Sequence, residues 1–172
     1  MSPPPADLVN SVELAGRSAC VERDLELAQM PALVQAGALE GTRARAKLTF
    51  AIFDGRPTVT ASVAGEVMLP CQRCLTPCAC TISESTPLMI VAQDEVPVAG
   101  GFEAFVADPE RLPLRAVVEE QMLLGLPLVP MHADPSVCKA ALEYEAPEAE
   151  ESDSGRQRPF ESLRQLLGKD EQ

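Results

Sequence analysis

At 172 residues and 18.4 kDa the chain has material for one domain with its own core and is short for two. A net charge of −12 argues against wholesale phosphate binding, and no run approaches the ~20 apolar residues that a membrane helix needs. Apolar residues make up 46% with no Trp and one Tyr, so an aliphatic core is expected; the opening MSPPPADLVN lacks the basic and apolar regions of a secretory leader, so a soluble cytoplasmic protein is expected.

Residues 22–39 carry helix-compatible apolar spacing at Leu25, Ala28, Leu33 and Val34 but are interrupted at Pro31, which predicts an extended segment followed by a short helix. Cys20, isolated ahead of it, is expected to be packed. Residues 43–53, RARAKLTFAIF, alternate: Ala44, Ala46, Leu48, Phe50 and Ile52 fall on one face, Arg43, Arg45, Lys47 and Thr49 on the other. That is a half-buried strand. Asp54-Gly55 then suits a type I′ turn, whose two central residues need positive φ. A hairpin with a two-residue loop sets Phe50 opposite Val59, Leu48 opposite Ala61 and Ala46 opposite Val63, apolar against apolar each time. On the other face Arg43 lands opposite Glu66. The second strand runs to about Leu69, and a third, about 80–91, aligns Cys80, Ile82, Leu88 and Ile90, with Pro87 marking an edge or a bulge.

Phe102 to Val106 reads as a further strand. Pro113 stands at a helix start, and Leu114, Val117, Val118, Gln121 and Met122 supply the apolar stripe of a helix that must end before Pro127. Glu119 and Glu120 on that helix point about 100° apart, so they form no acid–base dyad, and solvent exposure accounts for them. Residues 143–158 are acidic and nearly devoid of large apolar groups, which predicts a disordered linker. Residues 159–168, PFESLRQLLG, predict one short amphipathic helix with Phe160, Leu163 and Leu166 on a face; too short to be stable alone, it is a docking element. The fold expectation is α+β: an antiparallel sheet built on a central hairpin with two or three helices, forming a single domain over 1–142.

Residues 71–80, CQRCLTPCAC, hold four of the six cysteines. A C-x-x-C pair at a tight turn converges two thiolates on one metal, with each sulfur ~2.3 Å from a zinc ion. Cys71 and Cys74 follow a strand end and sit between Pro70 and Pro77. A structural zinc takes four ligands, and either Cys78 with Cys80 or His132 with Cys138 would complete the set. Three readings stay open: metal binding, redox chemistry, and burial of small apolar thiols. The redox reading expects its first cysteine at a helix N-terminus, whereas here the turn joins two strands. Arg43, Arg45, Lys47 and Arg73 lie in the only net-positive stretch, 43–92. They form either a solvated polar face or a small patch for RNA or a partner protein; no aromatics interleave with them to stack on bases. With one histidine and no P-loop, G-x-S-x-G, G-x-G-x-x-G or H-E-x-x-H, neither an enzyme nor a small-molecule substrate is expected.

Three motifs in order carry a family resemblance. They are Cys71, Gln72, Arg73 and Cys74; then Glu119, Glu120, Leu124, Leu126, Pro127, Val129, Pro130 and His132; then Pro159, Phe160, Leu163 and Leu166. Over about residues 7–168 the chain resembles the YceD family, the large ribosomal RNA subunit accumulation proteins of bacteria and plastids. Arg158 stands where that pattern has Asn, and Cys78 and Cys80 lie outside it, which favours His132 and Cys138 as companions of Cys71 and Cys74. The resemblance implies a role in synthesis, processing or stability of large-subunit (23S) ribosomal RNA. Its expected partners are that RNA's precursor or a basic ribosomal protein, met through Arg43, Arg45, Lys47 and Arg73 or docked through Phe160, Leu163 and Leu166. The competing expectation is a zinc-binding or redox-sensing regulatory protein with no ribosomal role.

Overall fold

The hairpin read from the alternation is the centre of the main sheet. The computed structural model describes residues 7–92 and 100–138. The expected linker 143–158 and terminal helix with Phe160, Leu163 and Leu166 lie outside the described residues. In chain order the elements are β1 (Leu8–Val9), α1 (Ser11–Gly16), β2 (Cys20–Glu26), α2 (Pro31–Gln35), β3 (Leu39–Phe53), β4 (Arg56–Pro70), β5 (Pro77–Val91), β6 (Glu103–Val106), β7 (Leu112–Pro113) and α3 (Leu114–Leu124). Three short 3-10 turns join them at Leu27–Gln29, Pro109–Arg111 and Pro135–Cys138. The main sheet has the order β2-β3-β4-β5-β6; its pairs are antiparallel except β5–β6, and β1 pairs separately with β7.

The register of β3 and β4 is the one the apolar pairing demands: Phe50 faces Val59, Leu48 faces Ala61 and Ala46 faces Val63, around a turn with Asp54 at φ 49° and Gly55 at φ 75°. These pairs are fully buried or nearly so, together with Ile82 and Leu88 of β5. Helix α3 lays Leu114, Val117, Val118 and Met122 on this face, and α2 adds Leu33 beside Met30. Two glycines let α3 come close. A Cβ at Gly65 would meet the Arg43 carbonyl oxygen at 2.5 Å and Met122 Cε at 2.9 Å, and one at Gly125 would meet Ile82 Cγ2 at 2.6 Å. That contact fixes the end of α3 on β5, and the proline-rich chain leaving it passes Ala79–Thr81 to reach the Cys71–Thr76 turn at Pro130. Pro87 lies just before the Leu88–Val91 stretch that pairs with β6, on a part of β5 bonded only to β4 among the described residues.

Two expectations are corrected. Cys20 is exposed, because it occupies the solvent side of β2 with Glu22, Asp24 and Glu26. Glu119 is buried, because its carboxylate accepts from the amides of Ala32, and of Leu33 at 3.2 Å, capping the N-terminus of α2 from another helix. Helix α1 and the β1–β7 pair gave no periodic signal. Asp7 beside them accepts from the Arg115 amide at 3.0 Å, supplying the start of α3 with a cap that Pro113 cannot.

Candidate metal centre

Strand β4 ends at Pro70 and β5 begins at Pro77, leaving a six-residue turn closed by the Cys71 amide on the Thr76 carbonyl (2.9 Å) and the Leu75 amide on the Cys71 carbonyl (2.8 Å). Leu75 takes the left-handed conformation, φ 62°, while exposing 76% of its surface. This winding sets Cys71 Sγ and Cys74 Sγ on one side. The segment after α3 joins by donation of the Gln72 amide to the Pro130 carbonyl at 2.8 Å. Further on, Asp134 accepts from the Ser136 amide and hydroxyl at 2.8 and 2.7 Å, starting the 3-10 turn that carries Cys138 inward.

The result brings together Cys71, Cys74, His132 and Cys138, whose donor atoms all lie within 4.8 Å of one another. Cys71 and Cys138 are fully buried. For tetrahedral zinc with bonds of about 2.3 Å to sulfur and about 2.05 Å to nitrogen, the edges of the tetrahedron are about 3.8 Å for S···S and about 3.6 Å for S···N. Here Cys71 Sγ lies 3.9 Å from Cys138 Sγ, and His132 Nδ1 lies 3.5 Å from both Cys74 Sγ and Cys138 Sγ. His132 Nε2 is 3.1 Å from the Pro77 carbonyl oxygen and donates to it, which leaves Nδ1 aimed at the sulfurs. The chemistry and spacing of these four donors suit one metal ion, and with four ligands in place the coordination would be closed.

The electrostatics favour deprotonated sulfur at Cys71 and Cys74 but not at Cys138. Burial alone would push the Cys71 thiol up, but the amides of Arg73, His132 and Cys74, with the His132 ring, pull it down to about 5. Hydrogen bonding to Thr76, whose hydroxyl is 3.1 Å from Cys74 Sγ, lowers Cys74. His132 is raised, first by its hydrogen bond with Cys71, and burial raises Cys138. Cys78 packs against the cluster as a buried thiol pushed up to about 11 by burial and by Cys80; neither residue belongs to the converging set. The local pair weighed in the sequence thus serves as packing.

Arg73 places its guanidinium at the cluster, with Nη1 3.7 Å from Cys138 Sγ and Nη2 3.6 Å from Met131 Sδ. Arg43, Arg45 and Lys47 lie elsewhere, on the outer face of the sheet, interleaved with acids. Arg45 bonds Asp24 at 2.7 Å, Arg43 approaches Glu66 at 3.9 Å, and Lys47 stands opposite Glu22. A shallow cleft of about 650 Å³ on this face is lined by Asp24, Glu26, Arg43, Arg45 and Glu66. Sequence reasoning missed the roles of Thr76, Asp134 and Ser136; only Asp-Pro-Ser, a turn signal, pointed to the last two. No helix among the described residues is long and apolar enough to cross a membrane.

No curated protein and no solved structure is a match to the chain. The family described as large ribosomal RNA subunit accumulation protein YceD matches residues 59–167, more than half of the chain. That span begins within β4 and takes in all four donors of the cluster, while β2 and β3 with the basic stripe precede it.

Proposed function

The chain belongs to the YceD family of large ribosomal RNA subunit accumulation proteins, and from that premise we propose that it is a non-enzymatic assembly factor for the large ribosomal subunit, supporting synthesis, processing or stability of 23S ribosomal RNA in the cytoplasm. The observation that carries this reading is the family match across both halves of the cluster. Zinc is the metal that three thiolates and one imidazole at these spacings suit best. Held by Cys71, Cys74, His132 and Cys138, it would supply a cross-link between the β4–β5 turn and the segment leaving α3, with no position open for a substrate. The chain's own residues do the rest: Pro77 orients the imidazole, Thr76 and the turn amides hold thiolates, and Asp134 sets the approach of Cys138. The competing regulatory reading, without a ribosomal role, has no comparable support.

A basic ribosomal protein is the favoured partner. On the outer face the positive groups Arg43, Arg45 and Lys47 alternate with Glu22, Asp24, Glu26 and Glu66, a surface that suits a mixed or basic protein better than a phosphate backbone. In this reading the domain spans 1–142, and residues 159–168 dock on the partner through Phe160, Leu163 and Leu166, tethered by 143–158. The test is a sucrose-gradient profile of ribosomal subunits in cells depleted of the protein and complemented with wild type, Cys71→Ser or Cys138→Ser. The expected result is a deficit of large subunits, restored by wild type and not by either variant, without any oxidant stress. A normal profile on depletion would overturn the role.

A further inference from the structure

We propose that Arg73 is the counter-cation of the metal centre, a positioning residue that acts through the thiolates instead of on a nucleic acid or partner; this rests on the metal reading above. Three thiolates and a neutral imidazole around a divalent ion leave one excess negative charge, and two of the sulfurs are fully buried. An uncompensated charge in that setting is costly. Among the described residues, the cation that reaches the cluster is the Arg73 guanidinium, 3.7 Å from Cys138 Sγ. Its own amide donates to Cys71 Sγ at 3.4 Å, so one residue places a charge on the last ligand and a dipole on the first. The residue is half-buried and its other terminal nitrogen rests on Met131 Sδ at 3.6 Å, which steadies the fork beside the sulfurs.

On the Cys138 segment, the Asp134 carboxylate is engaged by the Ser136 amide and hydroxyl. Cys138 arrives 67 residues after Cys71, from a segment tied to the turn by the Gln72 amide on Pro130 and by the cluster itself. A cation 3.7 Å from Cys138 Sγ therefore holds the last-arriving ligand against the turn and favours closure of the segment over it. Outer-sphere groups of this kind are worth roughly 10–100-fold in metal affinity.

The experiment titrates the full-length, metal-stripped chain with Co²⁺ and measures affinity by competition with a chelator, comparing wild type with Arg73→Met and Arg73→Lys. Met keeps the apolar stem and removes the charge; Lys restores a charge without the fork. The expected result is that Arg73→Met weakens Co²⁺ binding by about 10–100-fold while the ligand-field and sulfur-to-cobalt bands keep their positions, that Arg73→Lys regains most of the loss, and that both variants melt with wild type in chelator. Affinity for Arg73→Met within about twofold of wild type, or an equal loss in Arg73→Lys, would overturn the assignment. Lower melting of Arg73→Met in chelator, matching its loss in metal, would make the residue packing only and overturn it too. Wild type that binds no cobalt would instead strike down the metal reading, and this inference with it.

Discussion

Replacing Glu119 tests how the helices are locked to the sheet that carries the metal centre. Its Oε1 takes the amides of both Ala32 and Leu33, the former part-buried and the latter buried. These are orphan donors of the first turn of α2, which no intrahelical carbonyl can satisfy. Glu119→Ala strands both, and at about 1–3 kcal/mol for each unsatisfied buried donor the loss should be about 2–6 kcal/mol, or about 1–3 kcal/mol if water reaches Ala32 and only Leu33 is stranded. Glu119→Gln keeps an acceptor oxygen in place and trades a charge-assisted bond for a neutral one, costing about 1 kcal/mol. Against a typical domain stability of about 5–15 kcal/mol the Ala variant would lose a large share. Equilibrium urea unfolding followed by circular dichroism reads both values. An Ala variant within about 0.5 kcal/mol of wild type, or a Gln variant as damaged as the Ala variant, would refute the interhelical cap.

Gly65→Ala should destabilise by about 2 kcal/mol or more, because a Cβ meets a backbone carbonyl at 2.5 Å, and a melting curve unchanged from wild type would show that α3 moves away freely. In chelator-treated protein, Cys71 is held below its ordinary value of 9.0, at about 5, and Cys74 is lowered too; a depressed pKa adds stability that is complete above pH 9 and fades as pH falls through the lowered value. His132, raised from 6.5, acts oppositely, adding stability below pH 6.5 that is lost as pH rises through its raised value. Cys71→Ser should therefore flatten the rise of melting temperature between about pH 5.5 and 8, and slopes equal to wild type would contradict the thiolate assignment. Reversal of Arg43, Arg45 and Lys47 to Glu should leave affinity for 23S RNA fragments, and its salt slope, within about twofold of wild type, whereas a loss of tenfold or more by gel shift would make the stripe an RNA contact.

The sheet was legible because two constraints converge on it: period-two alternation over 43–53 and a turn dipeptide that fixes every facing pair through β4. The start of α3 was legible for a related reason, since Pro113 and the Leu114, Val117, Val118 stripe describe one boundary and one face. The cluster was half legible. Two cysteines at a turn announce a clasp, but the choice between Cys78 with Cys80 and His132 with Cys138 turns on tertiary placement: Gly125 against Ile82 and the Gln72–Pro130 bond bring a distant segment home, and no local pattern encodes either. Glu119 was misread because helical periodicity says which residues share a face, not that a second helix will start opposite a carboxylate. Arg73 reads from the sequence as an RNA or partner contact, since the sequence shows its charge and not the sulfur it faces.

The most direct measurement is metal content. Full-length protein purified without added metal and analysed for elements should carry about one zinc per chain, and a chelator should remove it with a clear fall in melting temperature, as the β4–β5 turn and the Cys138 segment come apart. Protein free of metal as isolated, failing to take up zinc, and melting identically with and without chelator would contradict the claim that Cys71, Cys74, His132 and Cys138 form a structural metal centre.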